Sequence, residues 1–248
     1  MERAIHILAA VVLAMGAFHG NCMAQSVELK PIEVPRSAYS PTADQANEHV
    51  KLREEFRRTY WADEARRIAQ FGQRRDVVRD DDNLYIRIKT SDDERETLVF
   101  KNVWGVDPAA RYLYLAYDDV AHFHIVSEDG HDMPRLLLTS AKTGQIYAIS
   151  GLDKPIYSPD KRRFLSLGAG GLGGCSGDVA IYRFERNKPF VEGGHALGCV
   201  ASCSFEWRHQ TEVRGECRNG ASQEGGKVNY RLTFHDGRWL STRTPVAK

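Results

Sequence analysis

The chain has no run of about 20 apolar residues, the length a helix needs to cross a hydrocarbon core of roughly 30 Å, so no transmembrane segment is expected. It also lacks an excess of either charge. Its 34 Lys and Arg against 33 Asp and Glu leave a formal charge of +1, and such balance excludes a global attraction to nucleic acid or to anionic membranes. No H-E-x-x-H or comparable metal motif occurs, which leaves metal chemistry without a sequence signature. None of Asn47, Asn83, Asn102, Asn187, Asn219 and Asn229 begins an Asn-x-Ser/Thr acceptor, an absence more natural for a bacterial periplasmic protein than for a glycosylated one.

What is present begins at the N-terminus. Arg3 supplies a positive n-region, Ile7 to Phe18 an apolar h-region, and Cys22-Met23-Ala24 a small-x-small cleavage site before Gln25. This is the layout of a Sec-type secretory signal peptide over residues 1–24. The expected product is soluble, periplasmic or secreted. Lipidation at Cys22 is the rival reading, but His19-Gly20-Asn21 lacks the usual Leu and puts Asn where a small residue belongs.

Cysteine is scarce, at five. Cys22 departs with the signal, and Cys175, Cys199, Cys203 and Cys217 crowd into the last third of the chain. In an exported protein an even number of cysteines reads as disulfides, here with three connectivities open. Cys203 and Cys217 flank a stretch whose halves fold back about His209 to Thr211 and bring the two sulfurs opposite each other, which leaves Cys175 with Cys199. A zinc site is disfavoured, because Cys199-x3-Cys203 has no second close pair.

Residues 25–41, with Pro31, Pro35 and Pro41, read as an extended arm,. The period then changes. Thr42 with Gln45 forms a capping box, and Leu52, Phe56 and Tyr60, then Trp61, Ala65 and Ile68, make an apolar stripe at helical spacing that stops near Gly72,. The arginine pairs 57–58, 66–67 and 74–75 alternate with Glu54, Glu55, Asp63, Glu64 and Asp80 to Asp82, the pattern of a solvated, ion-paired face,. The helical segment is placed at 42–82 and a β domain at 83–248. There, a dozen short runs rich in β-branched and aromatic residues are separated by turn chemistry such as Asp129-Gly130, Lys142-Thr143-Gly144 and Asp236-Gly237,. The fold class expected is mainly β, in antiparallel meanders behind an N-terminal helical segment.

A repeat lies underneath. The stretch beginning Asp107 and ending in Arg111-Tyr112-Leu113 aligns with Pro159-Asp160-Lys161-Arg162-Arg163-Phe164-Leu165, and a weaker copy starts at Trp207. A period of about 50 residues is the length of a four-stranded propeller blade. Ile156-Tyr157-Ser158-Pro159-Asp160-Lys161-Arg162-Arg163-Phe164-Leu165 resembles the Ser-Pro-Asp repeat of periplasmic TolB-type and WD40-like propellers, with Lys161 where that family usually has Gly. The resemblance implies propeller-like meanders of three to four blade-like units, closed or as an open fan or sandwich. It implies protein–protein contact as the work of the fold. Asp160 is expected to hold the turn after Pro159, a structural role for Ser158, Pro159 and Asp160.

Three constellations imitate chemistry. Gly168 to Gly173 satisfies G-x-G-x-x-G after a strand, with Glu192 about 20 residues on, but a strand follows instead of the helix N-terminus that would hold pyrophosphate,. Gly174-Cys175-Ser176-Gly177-Asp178 puts Asp where a nucleophile elbow needs its last Gly,. His122, His124, His131 and Asp132, near Asp118 and Asp119, form the best enzyme-like cluster, because residues two apart on a strand face the same way and offer two imidazoles to one metal,. The reading adopted is a non-catalytic exported binding protein, of scaffold, inhibitor or immunity type, with a protein partner in the periplasm and no cofactor. The alternative is a metal-dependent hydrolase centred on His122 and His124.

Overall fold

Helical periodicity is realised as α1 (Ala43–Phe56), a π-helical turn (Arg57–Trp61) and α2 (Ala62–Phe71). The computed structural model describes residues 27–28, 30, 43–71, 76–89, 95–104, 110–130, 134–151, 154–168, 177–198, 200–219 and 226–246. A π-helical turn bonds i to i+5 rather than i to i+4, so the residue that follows Phe56 on the apolar face is Trp61 and not Tyr60. Phe56 is buried while Tyr60 is exposed. Leu52 and Trp61 pack around Phe56, Trp104 and Leu113, and Ile68 and Phe71 reach the core beyond them.

Strands begin earlier than the sequence pattern suggests. After a short β1 (Val27–Glu28) in the N-terminal arm, β2 (Val77–Asp80) falls inside the stretch read as helical. Val77 is buried and pairs with Ile86, so tertiary pairing decides a four-residue segment too short and too charged to show a period. β2, β3 (Asn83–Lys89) and β4 (Arg95–Lys101) form the first sheet, and β5 (Ala110–Asp118), β6 (Phe123–Gly130), β7 (Arg135–Ser140) and β8 (Ile146–Ser150) the second. In the third, β9 (Ile156–Tyr157), β10 (Arg163–Gly168), β11 (Gly177–Glu185) and β12 (Lys188–Gly198) are joined at the β12 edge by β1. β13 (Val200–His209), β14 (Glu212–Asn219), β15 (Lys227–His235) and β16 (Arg238–Pro245) make the fourth. Among the described residues every strand pairing is antiparallel.

The turn chemistry is used as expected at Asp236-Gly237 (φ 50° and 77°), which joins β15 to β16, and at Gly144 (φ 70°) between β7 and β8. Asp129 and Gly130 are different. They belong to β6, opposite Arg111 and Ala110, because continued pairing with β5 offers their backbone more than a turn would.

Strand alternation then sets how the sheets meet. In the second sheet Tyr112, Tyr114, Val126 and Leu137 face the first sheet with Leu84, Ile86 and Phe100. Leu115, Phe123, Ile125, Leu136 and Leu138 face the third with Phe164 and Tyr182. The third sheet turns Leu165, Val179, Ile181 and Leu197 toward Phe205, Val213, Leu232 and Trp239 of the fourth. Both faces of the two inner sheets are therefore apolar, as period-2 side-chain direction requires.

Two glycines admit large rings at the last junction. A Cβ on Gly215 would meet the Phe205 ring at 2.3 Å, and one on Gly193 would meet Trp239 at 3.1 Å. Gly193 sits in β12, a strand that its Pro, Gly and His content hides from propensity reasoning.

Cys203 and Cys217 are direct cross-strand partners in β13 and β14 and form a disulfide, the pairing expected from a reversal at His209 to Thr211. Cys175 and Cys199 lie outside the described residues. The bond closes a separation of 14 residues in a hairpin already held by its ladder, so Cys203→Ser is expected to cost about 2 kcal/mol. Urea denaturation checks this: the oxidised protein loses that much on substitution, and the reduced protein loses nothing.

The Ser-Pro-Asp turn is a hydrogen-bonded unit. Ser158 is buried. Its hydroxyl donates to Asp160 Oδ1 (2.7 Å) and accepts from the Arg163 amide (3.0 Å), while the Arg162 amide donates to Asp160 Oδ1 (3.2 Å). Lys161, where the resembled repeat has Gly, takes a left-handed φ of 58°. Partial burial pulls the Asp160 carboxyl upward, but the Ser158 and Arg162 bonds and the Arg163 and Arg162 charges outweigh it and hold the group below its ordinary value. Asp160→Ala is expected to cost about 1 kcal/mol through these bonds, read as a lower denaturation midpoint at neutral pH.

Candidate functional site

Of the histidine cluster, His124 is buried and His122 is half-buried. His122 lies in the turn before β6 with φ 58°, so it does not share strand geometry with His124. Its Nδ1 is 3.3 Å from the Tyr117 hydroxyl. His124 is buried in β6, with Nδ1 3.3 Å from the Tyr114 hydroxyl and its ring against Tyr117. Burial pushes its pKa down to about 4. Asp118 accepts the amides of Val120 and Ala121 and the hydroxyl of Tyr157, and so ties the turn to the third sheet. Asp119 lies in the same turn. Among the described residues no group of three His, Cys, Asp or Glu side chains could hold a metal. His131 and Asp132 are outside them.

Of the two glycine motifs, residues 169–176 lie outside the described residues. β11 follows them as a strand, and Glu192 is a buried clamp. Its carboxylate accepts Arg163 Nε (2.6 Å) and Nη2 (3.1 Å) and Trp239 Nε1 (3.1 Å). Arg183 Nε stands 3.6 Å away. The guanidinium of Arg163 also stacks over Phe234 at 4.8 Å. Three strands of two sheets thus share one buried carboxylate, whose charge is compensated as burial demands.

The face read as solvated is divided. Arg53 and Arg57 pair with Asp81, and Asp63 with Arg66, at the surface. Glu64, by contrast, is buried at 1 % exposure. It accepts Arg79 Nε (2.9 Å) and Nη2 (2.7 Å) and the Tyr114 amide (2.7 Å), and Arg79 Nη2 also donates to the Tyr112 carbonyl (2.6 Å). The clamp seats α2 across the first and second sheets.

Seating α2 there carries Arg67 to the rim of a cleft of about 490 Å³ where α2 and the second, third and fourth sheets converge. Leu115, Ile156, Leu165, Leu167 and Phe205 supply apolar walls, with Cys203 and Ser204 beside them. Lys154 stands at the same rim, 4.6 Å over the Phe71 ring. Its pKa is lowered by burial and by the Arg67 charge. No signal in the sequence marks this site, because its residues come from five separate segments.

A second surface is the outer face of the fourth sheet. Alternation leaves Glu206, Arg214, Glu216, Arg218, Lys227 and Arg231 pointing away from the core, all exposed. Arg214 and Arg231 are direct cross-strand neighbours. Glu212 relieves this like-charge contact, accepting Arg214 Nε (2.7 Å) and Arg231 Nη2 (2.8 Å), and those bonds hold its carboxyl below the usual range. A shallow depression of about 650 Å³ runs over this face between Arg208 and Thr244.

No protein-family model matches the chain, and the searches of curated proteins and of solved structures return no match.

Proposed function

We propose that this chain is an exported, non-catalytic binding protein. In this reading the meanders act as blade-like units of a TolB-type, propeller-like scaffold, and a periplasmic partner protein is held in the manner of an inhibitor or immunity protein. The observation that carries the reading is the outer face of the fourth sheet, a broad four-stranded surface on which Arg208, Arg214, Arg218, Lys227 and Arg231 outnumber Glu206, Glu212 and Glu216. Such a face recognises an acidic partner surface, with charge complementarity setting encounter and register. The cross-strand disulfide supports export,, and among the described residues no helix is long and apolar enough to cross a membrane.

Affinity capture from periplasmic extract tests the proposal, with the wild type and an Arg214→Glu, Arg231→Glu variant compared at low and high salt. A discrete acidic protein is expected with the wild type, weakened by salt and lost in the variant. Elemental analysis runs beside it. One zinc or manganese per chain, lost on the combined His122→Ala and His124→Ala change, would replace this reading with the hydrolase.

A further inference from the structure

The cleft beneath α2 has a chemistry distinct from that of the charged outer face. Its walls are drawn from three sheets, and Leu165 and Phe205 on them are buried residues of the core. Its two ionisable rim groups, Arg67 and Lys154, carry the same sign and line one cleft, with Lys154 over the ring of Phe71, one helical turn beyond Arg67 in α2. Among the described residues neither forms an ion pair. Two like charges brought together over an apolar floor are an unfavourable arrangement that an anion would relieve.

We propose that this cleft binds a small anionic amphiphile, a carboxylate on an unbranched apolar body, with the carboxylate between Arg67 and Lys154 and the body along Leu115, Leu165, Leu167 and Phe205. The volume of about 490 Å³ falls in the range of small-molecule sites, roughly 300–1,000 Å³, which combine apolar walls with a few convergent polar groups. Arg67 offers the planar fork that suits a carboxylate, and Lys154 a mobile point charge. A wholly apolar ligand would bury the two cations without a counter-ion, and a cationic one would add a third like charge. A short hydrophilic anion would leave the floor exposed to water. Only the combination of one negative head and an apolar body answers both halves of the site.

The test is titration calorimetry of the purified protein with decanoate, acetate and decyltrimethylammonium, each below its aggregation concentration. Decanoate is expected to bind with one-to-one stoichiometry, at least tenfold more tightly than either of the others. Arg67→Gln with Lys154→Gln should weaken decanoate at least tenfold, and Leu167→Trp, which fills the cleft, should do the same. Thermal unfolding of each variant confirms that it is folded. The Arg214→Glu, Arg231→Glu variant should retain decanoate binding, which separates this site from the proposed protein-binding face. Equal binding of decanoate and decyltrimethylammonium, no saturable decanoate binding, or unchanged affinity in the double glutamine variant would overturn the proposal.

Discussion

Replacing Glu64 by Ala is expected to remove about 3–5 kcal/mol of folding stability, the range found when one partner of a buried ion pair is deleted. The side chain is 1 % exposed and that of Arg79 10 %, so the truncation leaves a guanidinium in the interior without its counter-charge. It also leaves the Tyr114 amide, which now donates to Oε1 at 2.7 Å, without an acceptor. A loss of this size approaches the whole stability of an ordinary domain. Urea denaturation of Glu64→Ala, of Arg79→Met and of the pair together measures it. Each single change should be severe and the double change milder than their sum, since removing both charges leaves neither unpaired. Asp63→Ala is the control. Its pair with Arg66 is exposed, and exposed pairs contribute about 0–1 kcal/mol.

Acidification is expected to cost about 3 kcal/mol between pH 6.5 and 4 through His124 alone. The sign follows from where the proton goes. In the unfolded chain the imidazole titrates near its ordinary value of about 6.5, and in the fold burial moves it down to about 4. Between these values the unfolded state binds the proton and the folded state does not, so stability falls as pH falls through that window and levels off below it. Among the described residues the side chains in ring or hydrogen-bond contact with the imidazole are the phenols Tyr114 and Tyr117, which are neutral over this window. Urea midpoints at pH 7 and pH 4.5 measure it, and His124→Phe should flatten most of the difference. A residual slope is expected from His195, which burial also pushes down. Asp160 acts lower. Its depressed carboxyl contributes stability above the ordinary carboxylate range that is lost only as pH falls through that range and below.

The residues around Glu64 and Glu192 show how a correct pattern misleads about single positions. Interleaved Arg and Glu between residues 53 and 82 do form surface pairs, at Arg53, Arg57 and Asp81 and at Asp63 and Arg66. The same alternation contains the buried Glu64. Sequence spacing assumes an uninterrupted α-helix, and the π-helical turn at Arg57–Trp61 rotates everything after it, bringing Trp61, Glu64, Ile68 and Phe71 onto the inner face. Glu192 is 29 residues from Arg163 and 47 from Trp239, so no local signal joins them. The convergence of the two rim cations on one cleft was hidden for the same reason.

The sequence by itself determined the class of the fold, because alternation, turn residues and strand-length runs are local and act through the backbone. The reversal at His209 to Thr211, the Cys203–Cys217 pair, the Asp236-Gly237 turn and the hydrogen bonds of Ser158 and Asp160 are all contained within short stretches. Only the tertiary structure decided that β2 and β12 are strands, that two carboxylates serve as interior clamps, and that Arg67 meets Lys154 over an apolar cleft. In each case the deciding energy is the burial or pairing of groups far apart in the chain, which depends on which sheet faces lie against each other and cannot be felt by neighbouring residues alone.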